Sequence, residues 1–349
     1  MRVLIRADAS VRIGSGHVMR CLALAGALAQ QGSTAVFACR TLPGHLCDWI
    51  EQRGFGCLRL PATAVSSDAV PWYVDQQDDA AQLAATAGDG WDWCVVDHYG
   101  LSAEWERQIS GLCRHLLALD DAAKRPHAAD VLLDQNLDWH YHADYRDLLP
   151  ASASTLLGPD YALLRPEFAQ LHQQAQPRQS VRRILLAFGG GDAGNETGRT
   201  LGLLRSVLSP EVQVSVVIGA AHPALQAVLA QCVEAGYECA VQVDDMAQRM
   251  LAADLAIGAA GVIAWERCCL GLPALMITLA DNQAGIAAAL HAKGAALALG
   301  RASEVTATQL AQALAQCQQP GGLAAMSGAA LALVDGQGAA RVARAMASF

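Results

Sequence analysis

The sequence predicts an α/β protein built from two Rossmann-like domains in tandem, with parallel sheets facing a central cleft. Three observations predict it. Short apolar runs of strand length alternate with stretches of helical spacing. The alternation breaks once, near the middle of the chain, and then restarts. Each half opens on a strand, a glycine-rich turn and a helix: Val3–Arg6 with Gly14-Ser15-Gly16, then Arg183–Phe188 with Gly189-Gly190-Gly191-Asp192. The 349 residues, 53% of them hydrophobic, are enough for two cores.

In chain order, Val3–Arg6 reads as a buried strand. Apolar residues at 18, 21, 22, 25, 28 and 29 then mark a helix over Val18–Gln31, with Gly32 as its stop. Thr34–Cys39 is a second strand, and Pro43 opens a helix that Gly54 ends. Cys94–Val96 and Leu116–Leu119 are buried strands that run into acids, Asp97 in one case and Asp120-Asp121 in the other. Between about 138 and 180 the pattern is irregular. Leu157-Gly158-Pro159 and the polar Gln173–Ser180 place an interdomain segment over 158–180, between domains at 1–157 and 181–349. The second half adds strands at Val212–Ile218, Val241–Val243, Leu255–Ile257, Ala274–Thr278 and Ala296–Leu299. Strands alternating with helices imply parallel sheets covered on both faces, with ligands at the carboxyl ends of the strands.

Composition excludes several classes. With 33 acidic and 24 basic residues the net charge is -9, so there is no basic footprint for nucleic acid or an anionic membrane. The 11 cysteines form no C-x-x-C pair and read as reduced thiols of a cytoplasmic protein. The N-terminus lacks the apolar stretch of a signal peptide, and the apolar runs near 255–265 and 268–280 are too short to span a membrane. There is no Asp-x-Asp triplet, no phosphate-binding G-x-x-x-x-G-K-[ST] loop and no G-x-S-x-G. His140 and His142 alternate around Tyr141 without further ligands nearby, so no metal and no cofactor is expected.

Four segments carry candidate chemistry. Gly14-Ser15-Gly16-His17 lies between the first strand and the first helix, where glycines let a ligand approach the backbone. His17 there is a candidate general base, or a histidine that only caps the helix. Gly258-Ala259-Ala260-Gly261 precedes Trp265-Glu266-Arg267. Glu266 could accept both hydroxyls of a ribose, or be a surface acid paired with Arg267. Asp281-Asn282-Gln283 offers amides to a sugar or nucleotide, with Asp281 or Asn282 capping the next helix. Asp97-His98-Tyr99-Gly100 ends a strand at the edge expected for His17; Tyr99 could bind the sugar, and His98 is a rival base.

Taken in order, six segments resemble one family. They are Arg6–Ser10, Ile13–Cys21, Val96–Gly100, Gly158–Arg165, Phe188–Asp192, and Gly258–Gly261 through Trp265–Pro273. The family is PseG, the UDP-2,4-diacetamido-2,4,6-trideoxy-β-L-altropyranose hydrolases of pseudaminic acid biosynthesis, and the resemblance spans almost the whole chain. It implies a GT-B fold related to the UDP-GlcNAc transferase MurG, and hydrolysis of a UDP-sugar to UDP and free sugar. It implies that His17 is the catalytic base and that Tyr99 lies beside the sugar; the motif reading adds Gly14, Ser15, Gly16, Asn282 and Gln283 as substrate contacts. The resemblance places UDP on Glu266 and Asn282, and the helix start at Gly261 is read as holding its diphosphate. The partners implied are the UDP-sugar and UDP, with no obligate protein partner. A MurG-like transferase, or a hydrolase for a related nonulosonic-acid precursor, would use the same parts. The chain departs from the family's pattern at Ala259, Ala260 and Ala264, which bring no hydroxyl to the diphosphate, so backbone N–H groups are expected there instead.

Overall fold

A computed structural model describes residues 1–62, 72–137, 145–190 and 192–349. Two compact units emerge, Met1–Pro166 with Gln337–Phe349, and Glu167–Gly336. Each is an α/β layer structure around a wholly parallel sheet.

The first unit carries β1 (Arg2–Ala7), β2 (Thr34–Arg40), β3 (Gly56–Leu60), β4 (Trp91–Asp97), β5 (Cys113–Leu119), β6 (Val131–Asp134) and β7 (Ser154–Leu157). Their order is β3-β2-β1-β4-β5-β6-β7, so the direction of winding reverses between β1 and β4. The central strands are buried on both faces, as a covered parallel sheet requires: Val3, Leu4 and Ile5 are fully buried. The helix Gly16–Gln30 follows β1 and ends where Gly32 turns left-handed at φ 77°. Pro43 does not open a helix. Its carbonyl accepts the Val11 N–H at 3.0 Å, Gly44 (φ 81°) presses on Val11, and the helix starts later, over Cys47–Gln52. This turn therefore braces the loop that leads to the first helix.

The second unit carries β8 (Arg183–Ala187), β9 (Gln213–Ile218), β10 (Glu238–Val241), β11 (Leu255–Ala259), β12 (Ala274–Thr278) and β13 (Ala296–Arg301) in the order β10-β9-β8-β11-β12-β13. Here the winding reverses between β8 and β11. The strand expected at Val241–Val243 lies earlier, because Gln242 adopts φ 52° and ends it. Arg178 pins the polar segment before β8. Its buried guanidinium donates to the carbonyls of Gln176, Met250, Leu251, Ala253 and Leu270.

Two expected boundaries differ. The segment from Leu157 to Pro159 ends β7 and enters a 3-10 turn, Pro159–Tyr161, so it belongs to the first unit, which runs on to Pro166. The C-terminal helix Gly338–Ala347, expected with the second half, returns to the first core, where Ala339, Val342, Ala343 and Met346 pack with Val18, Leu24 and Leu28. Gly338 makes the return possible, since a Cβ there would lie 2.3 Å from the Ala162 carbonyl oxygen. Gly338→Ala is expected to destabilise the first unit by about 1–3 kcal/mol through overpacking, measured by chemical denaturation. No helix among the described residues is long and apolar enough to cross a membrane.

Polar groups fill the space beyond β5 and β6. His127 Nδ1 lies 2.6 Å from Glu106 Oε1, and its Nε2 lies 3.8 Å from Asp120 Oδ2, an ion-pair distance too long for a hydrogen bond. Burial opposes the charge on His127, but the two carboxylates outweigh it and push its pKa up to about 9. A histidine raised in this way contributes its stability fully below the ordinary histidine range and loses it as pH rises through about 9. Burial, with the nearby Asp121 charge, pushes Asp134 up to about 8, which acts in the same direction. Stability is thus expected to fall between pH 6.5 and 9 by roughly 3 kcal/mol on account of His127. The check is denaturation at both pH values, with His127→Gln removing the share that His127 contributes and leaving that of Asp134.

Candidate functional site

β1 and β4 part at the winding reversal of the first unit, with Ala7 opposite Asp97 in register. Ligands of open parallel sheets bind beyond the carboxyl ends of strands at such a point. The chain leaves β1 through a tight loop. Ser10 Oγ accepts the N–H groups of Arg12 and Ile13 at 3.2 and 2.9 Å, and the Gly14 N–H returns to the Ser10 carbonyl at 2.8 Å. Gly14 adopts φ 82° and faces open space, and the Ser15 side chain makes no cap to the helix it precedes.

His17 falls in the first turn of that helix and is 7% exposed. Its Nδ1 lies 2.5 Å from Asp97 Oδ1. Arg20, one turn further along the same face, donates from Nε and Nη2 to the two oxygens of Asp97 at 2.6 and 2.7 Å. Its Nη1 reaches both oxygens of Asp121 at 2.9 Å. Burial alone would raise the Asp97 pKa; the Arg20 guanidinium and His17 outweigh it and hold the carboxyl well below the usual range. An ionised Asp97 accepts the Nδ1 proton of His17, so the lone pair of the neutral ring is on Nε2. A carboxylate thus orients the imidazole, and a ring held this way can take a proton at Nε2.

Two aromatic rings flank the His17 imidazole. Trp72 and Tyr99 meet the His17 ring edge-on with centroids at 4.6 and 4.9 Å, and 4.7 Å separates them from each other. The Tyr99 hydroxyl donates to Asp121 at 2.7 Å. Gly100 makes room for Trp72, since a Cβ there would lie 2.0 Å from the Trp72 carbonyl oxygen.

His98, the rival base, is otherwise engaged. It is 4% exposed, its Nδ1 accepts the Gly100 N–H at 3.1 Å, and its Nε2 lies 3.4 Å from Asp8 Oδ2. Asp8 is in turn paired with Arg6, which also pairs with Asp79. Burial pulls the His98 pKa down, and both of its ring nitrogens are committed to the protein.

In the second unit the corresponding reversal lies between β8 and β11. Gly258 sits opposite Ala187, and a Cβ on it would come 2.0 Å from the Ala187 carbonyl oxygen. After β8, buried Asp192 accepts the N–H groups of Glu196 and Thr197 at 2.7 and 2.8 Å. Beyond β11, Gly261 leads into the helix Ile263–Cys269, which carries half-buried Glu266. Arg267 is not a surface partner: it is 2% exposed and donates to the Ala259 carbonyl. Gln283 approaches Gly261, with Nε2 4.0 Å from where a Cβ would stand, and its Oε1 accepts the Leu279 N–H at 3.0 Å. Asn282 is exposed in the 3-10 turn Asp281–Gln283. No side chain caps the helix Ala284–Ala292; Asp281 pairs with Arg301 at 2.6 Å instead.

Among the described residues no group of three or more His, Cys, Asp or Glu is arranged to hold a metal ion, and His140 and His142 lie outside those residues, as does Gly191. The roles of Asp97, Arg20, Asp121 and Trp72 were missed in the sequence. The first two had a signal: an acid ending a strand, and an arginine three residues after the histidine.

Residues 199–343 match the glycosyltransferase family 28 C-terminal domain. The spore coat polysaccharide biosynthesis protein SpsG of Bacillus subtilis is 31% identical over 165 residues, 46% of this chain and 48% of that protein. The UDP-2,4-diacetamido-2,4,6-trideoxy-beta-L-altropyranose hydrolase of Campylobacter jejuni is 27% identical over 201 residues, 56% of this chain and 62% of that protein. The aligned parts thus span about half the length of these relatives. Among solved structures, MurG of Acinetobacter baumannii superposes with TM-score 0.66 at 18% identity, covering 100% of this chain and 99% of that one. The fold is GT-B.

Proposed function

From a GT-B fold whose later half matches a family 28 glycosyltransferase domain, we propose that the protein hydrolyses a UDP-sugar at the anomeric carbon. The observation that carries this is the 2.5 Å contact between His17 Nδ1 and Asp97 at the strand ends of the first unit. A histidine held this way can take a proton from water through Nε2. The water oxygen then bonds to the anomeric carbon as the bond from that carbon to the diphosphate oxygen breaks. UDP leaves with the bonding electrons from the opposite face, and the sugar inverts. Asp97 stabilises the imidazolium while it lasts, and solvent takes up the proton afterwards. Glu266 would hold the ribose, Gly261 and its turn the diphosphate, and Asn282 and Gln283 the remaining polar groups. Gly14, Ser15, Gly16 and Tyr99 would line the sugar.

The substrate we propose is UDP-2,4-diacetamido-2,4,6-trideoxy-β-L-altropyranose. Support comes from the likeness to the Campylobacter jejuni hydrolase and from the six segments of the sequence. Incubation with this compound, and separately with UDP-GlcNAc, without any acceptor tests the reading. The expected result is UDP and free inverted sugar from the first alone, followed by NMR of the anomeric proton. UDP release only after an alcohol acceptor is added would make the protein a transferase.

A further inference from the structure

Two arginines of the second unit are buried without an ion pair among the described residues, and they differ in an informative way. Arg178 spends its donors on five backbone carbonyls. That pattern is a structural staple and explains its burial. Arg267 does not repeat it. One nitrogen, Nη2, donates to the Ala259 carbonyl, and Nε has no hydrogen-bond partner. Nη1 lies against the backbone of Gly258, 3.2 Å from where a Cβ would stand. Arg267 thus has its guanidinium directly beneath the turn Gly258–Gly261, at the carboxyl end of β11.

Burying a cation without a counter-charge is unfavourable, and proteins retain such an arrangement when something else compensates it. The neighbouring groups do not suffice. Cys268 is a buried thiol whose pKa is pushed up to about 12, so it stays neutral. Glu266 acts on Arg267 electrostatically, yet burial prevails and pulls the guanidinium down to about 10. An anion resting on the turn would supply the missing charge.

The turn also needs a positive charge from somewhere. Ala259, Ala260 and Ala264 offer it no hydroxyl, and the helix that follows has only 7 residues, too short to carry a strong dipole. We propose that Arg267 is the fixed positive charge of the diphosphate site, acting from beneath the Gly258–Gly261 turn and orienting it through the Ala259 carbonyl. This rests on the nucleotide reading of the second unit. Arg267 is then a positioning residue that discriminates for phosphate and leaves the nucleoside to other groups.

Calorimetry with UDP and with uridine separates these contributions. Arg267→Met is expected to weaken UDP about 10–100-fold and uridine less than about twofold, with Arg267→Lys recovering most of the loss for UDP. Equal losses for UDP and uridine, or no loss for either, would overturn the inference. Should the Met variant not fold, the unaltered protein decides. The ratio of UDP to uridine affinity is expected to change less than about fivefold between 50 and 500 mM NaCl, because a buried charge is poorly screened. A larger fall would assign the diphosphate to surface charges and overturn the role of Arg267. If the unaltered protein binds neither ligand, the nucleotide reading itself fails, and this inference falls with it. Binding of UDP undiminished in Arg267→Met removes this inference alone.

Discussion

Replacing His17 with Asn is expected to lower the rate of UDP-sugar hydrolysis at least about 10²–10⁴-fold, the usual contribution of a general base. Asparagine fills much of the same space but has no lone pair able to take a proton from water near neutral pH. The helix is stabilised by its own backbone and core contacts, with Val18, Cys21 and Leu24 fully buried, so the fold should survive. The proposed UDP contacts all come from the second unit, so affinity for UDP should stay within about twofold. Rate from UDP release and affinity from calorimetry check both parts. Turnover within tenfold of the unaltered protein would remove His17 as the base. His98 does not stand ready to replace it, because its Nδ1 already accepts the Gly100 N–H.

The second large effect is expected at Asp97. In Asp97→Asn the side-chain amide can donate to Nδ1 of His17, which forces the ring proton onto Nε2 and removes the lone pair proposed to take a proton from water. The comparable exchange in serine proteases costs about 10⁴ in rate, and a loss of about 10²–10⁴ is expected here. Arg20 complicates the variant, because it loses a bidentate carboxylate partner at 2.6 and 2.7 Å. It keeps Asp121. Thermal unfolding and UDP affinity therefore belong beside the rate. A folded Asp97→Asn protein that binds UDP and retains more than a tenth of its activity would show that the carboxylate does not orient the base.

The fold class was legible because it depends on local pattern. Apolar strands such as Val3–Arg6, glycine turns such as Gly14–Gly16 and helical spacing repeat along the chain without reference to distant partners. The missing strands were β3, β6 and β7, of 5, 4 and 4 residues. These runs are short, and two of them, β3 and β7, are the edge strands of the sheet, where the apolar pattern weakens. The destination of the last helix was not legible either. Residues 338–347 have a clear apolar face, but nothing local says which core receives it; Gly338 against Ala162 is a contact between residues 176 apart.

The site divided in the same way. His17 announced itself through a glycine turn between strand and helix. Its partnership with Asp97 did not, because it depends on β1 lying beside β4 rather than on sequence neighbours. Arg20 was on the helical face of His17 all along, but its purpose appears only once Asp97 and Asp121 converge on it. Trp72 has no local signal at all. Its ring meets that of His17 across 55 positions of the chain. Asp281 looked like a helix cap by type and place, and a salt bridge to Arg301 claimed it instead.

Water labelled with ¹⁸O tests the central claim most directly. A single turnover of UDP-2,4-diacetamido-2,4,6-trideoxy-β-L-altropyranose is run in labelled water with EDTA and no acceptor, and both products are read by mass spectrometry. Water activated by His17 at the anomeric carbon predicts one label in the free sugar and none in UDP. Label in the terminal phosphate of UDP would mean attack at phosphorus and would contradict the role given to His17 and Asp97.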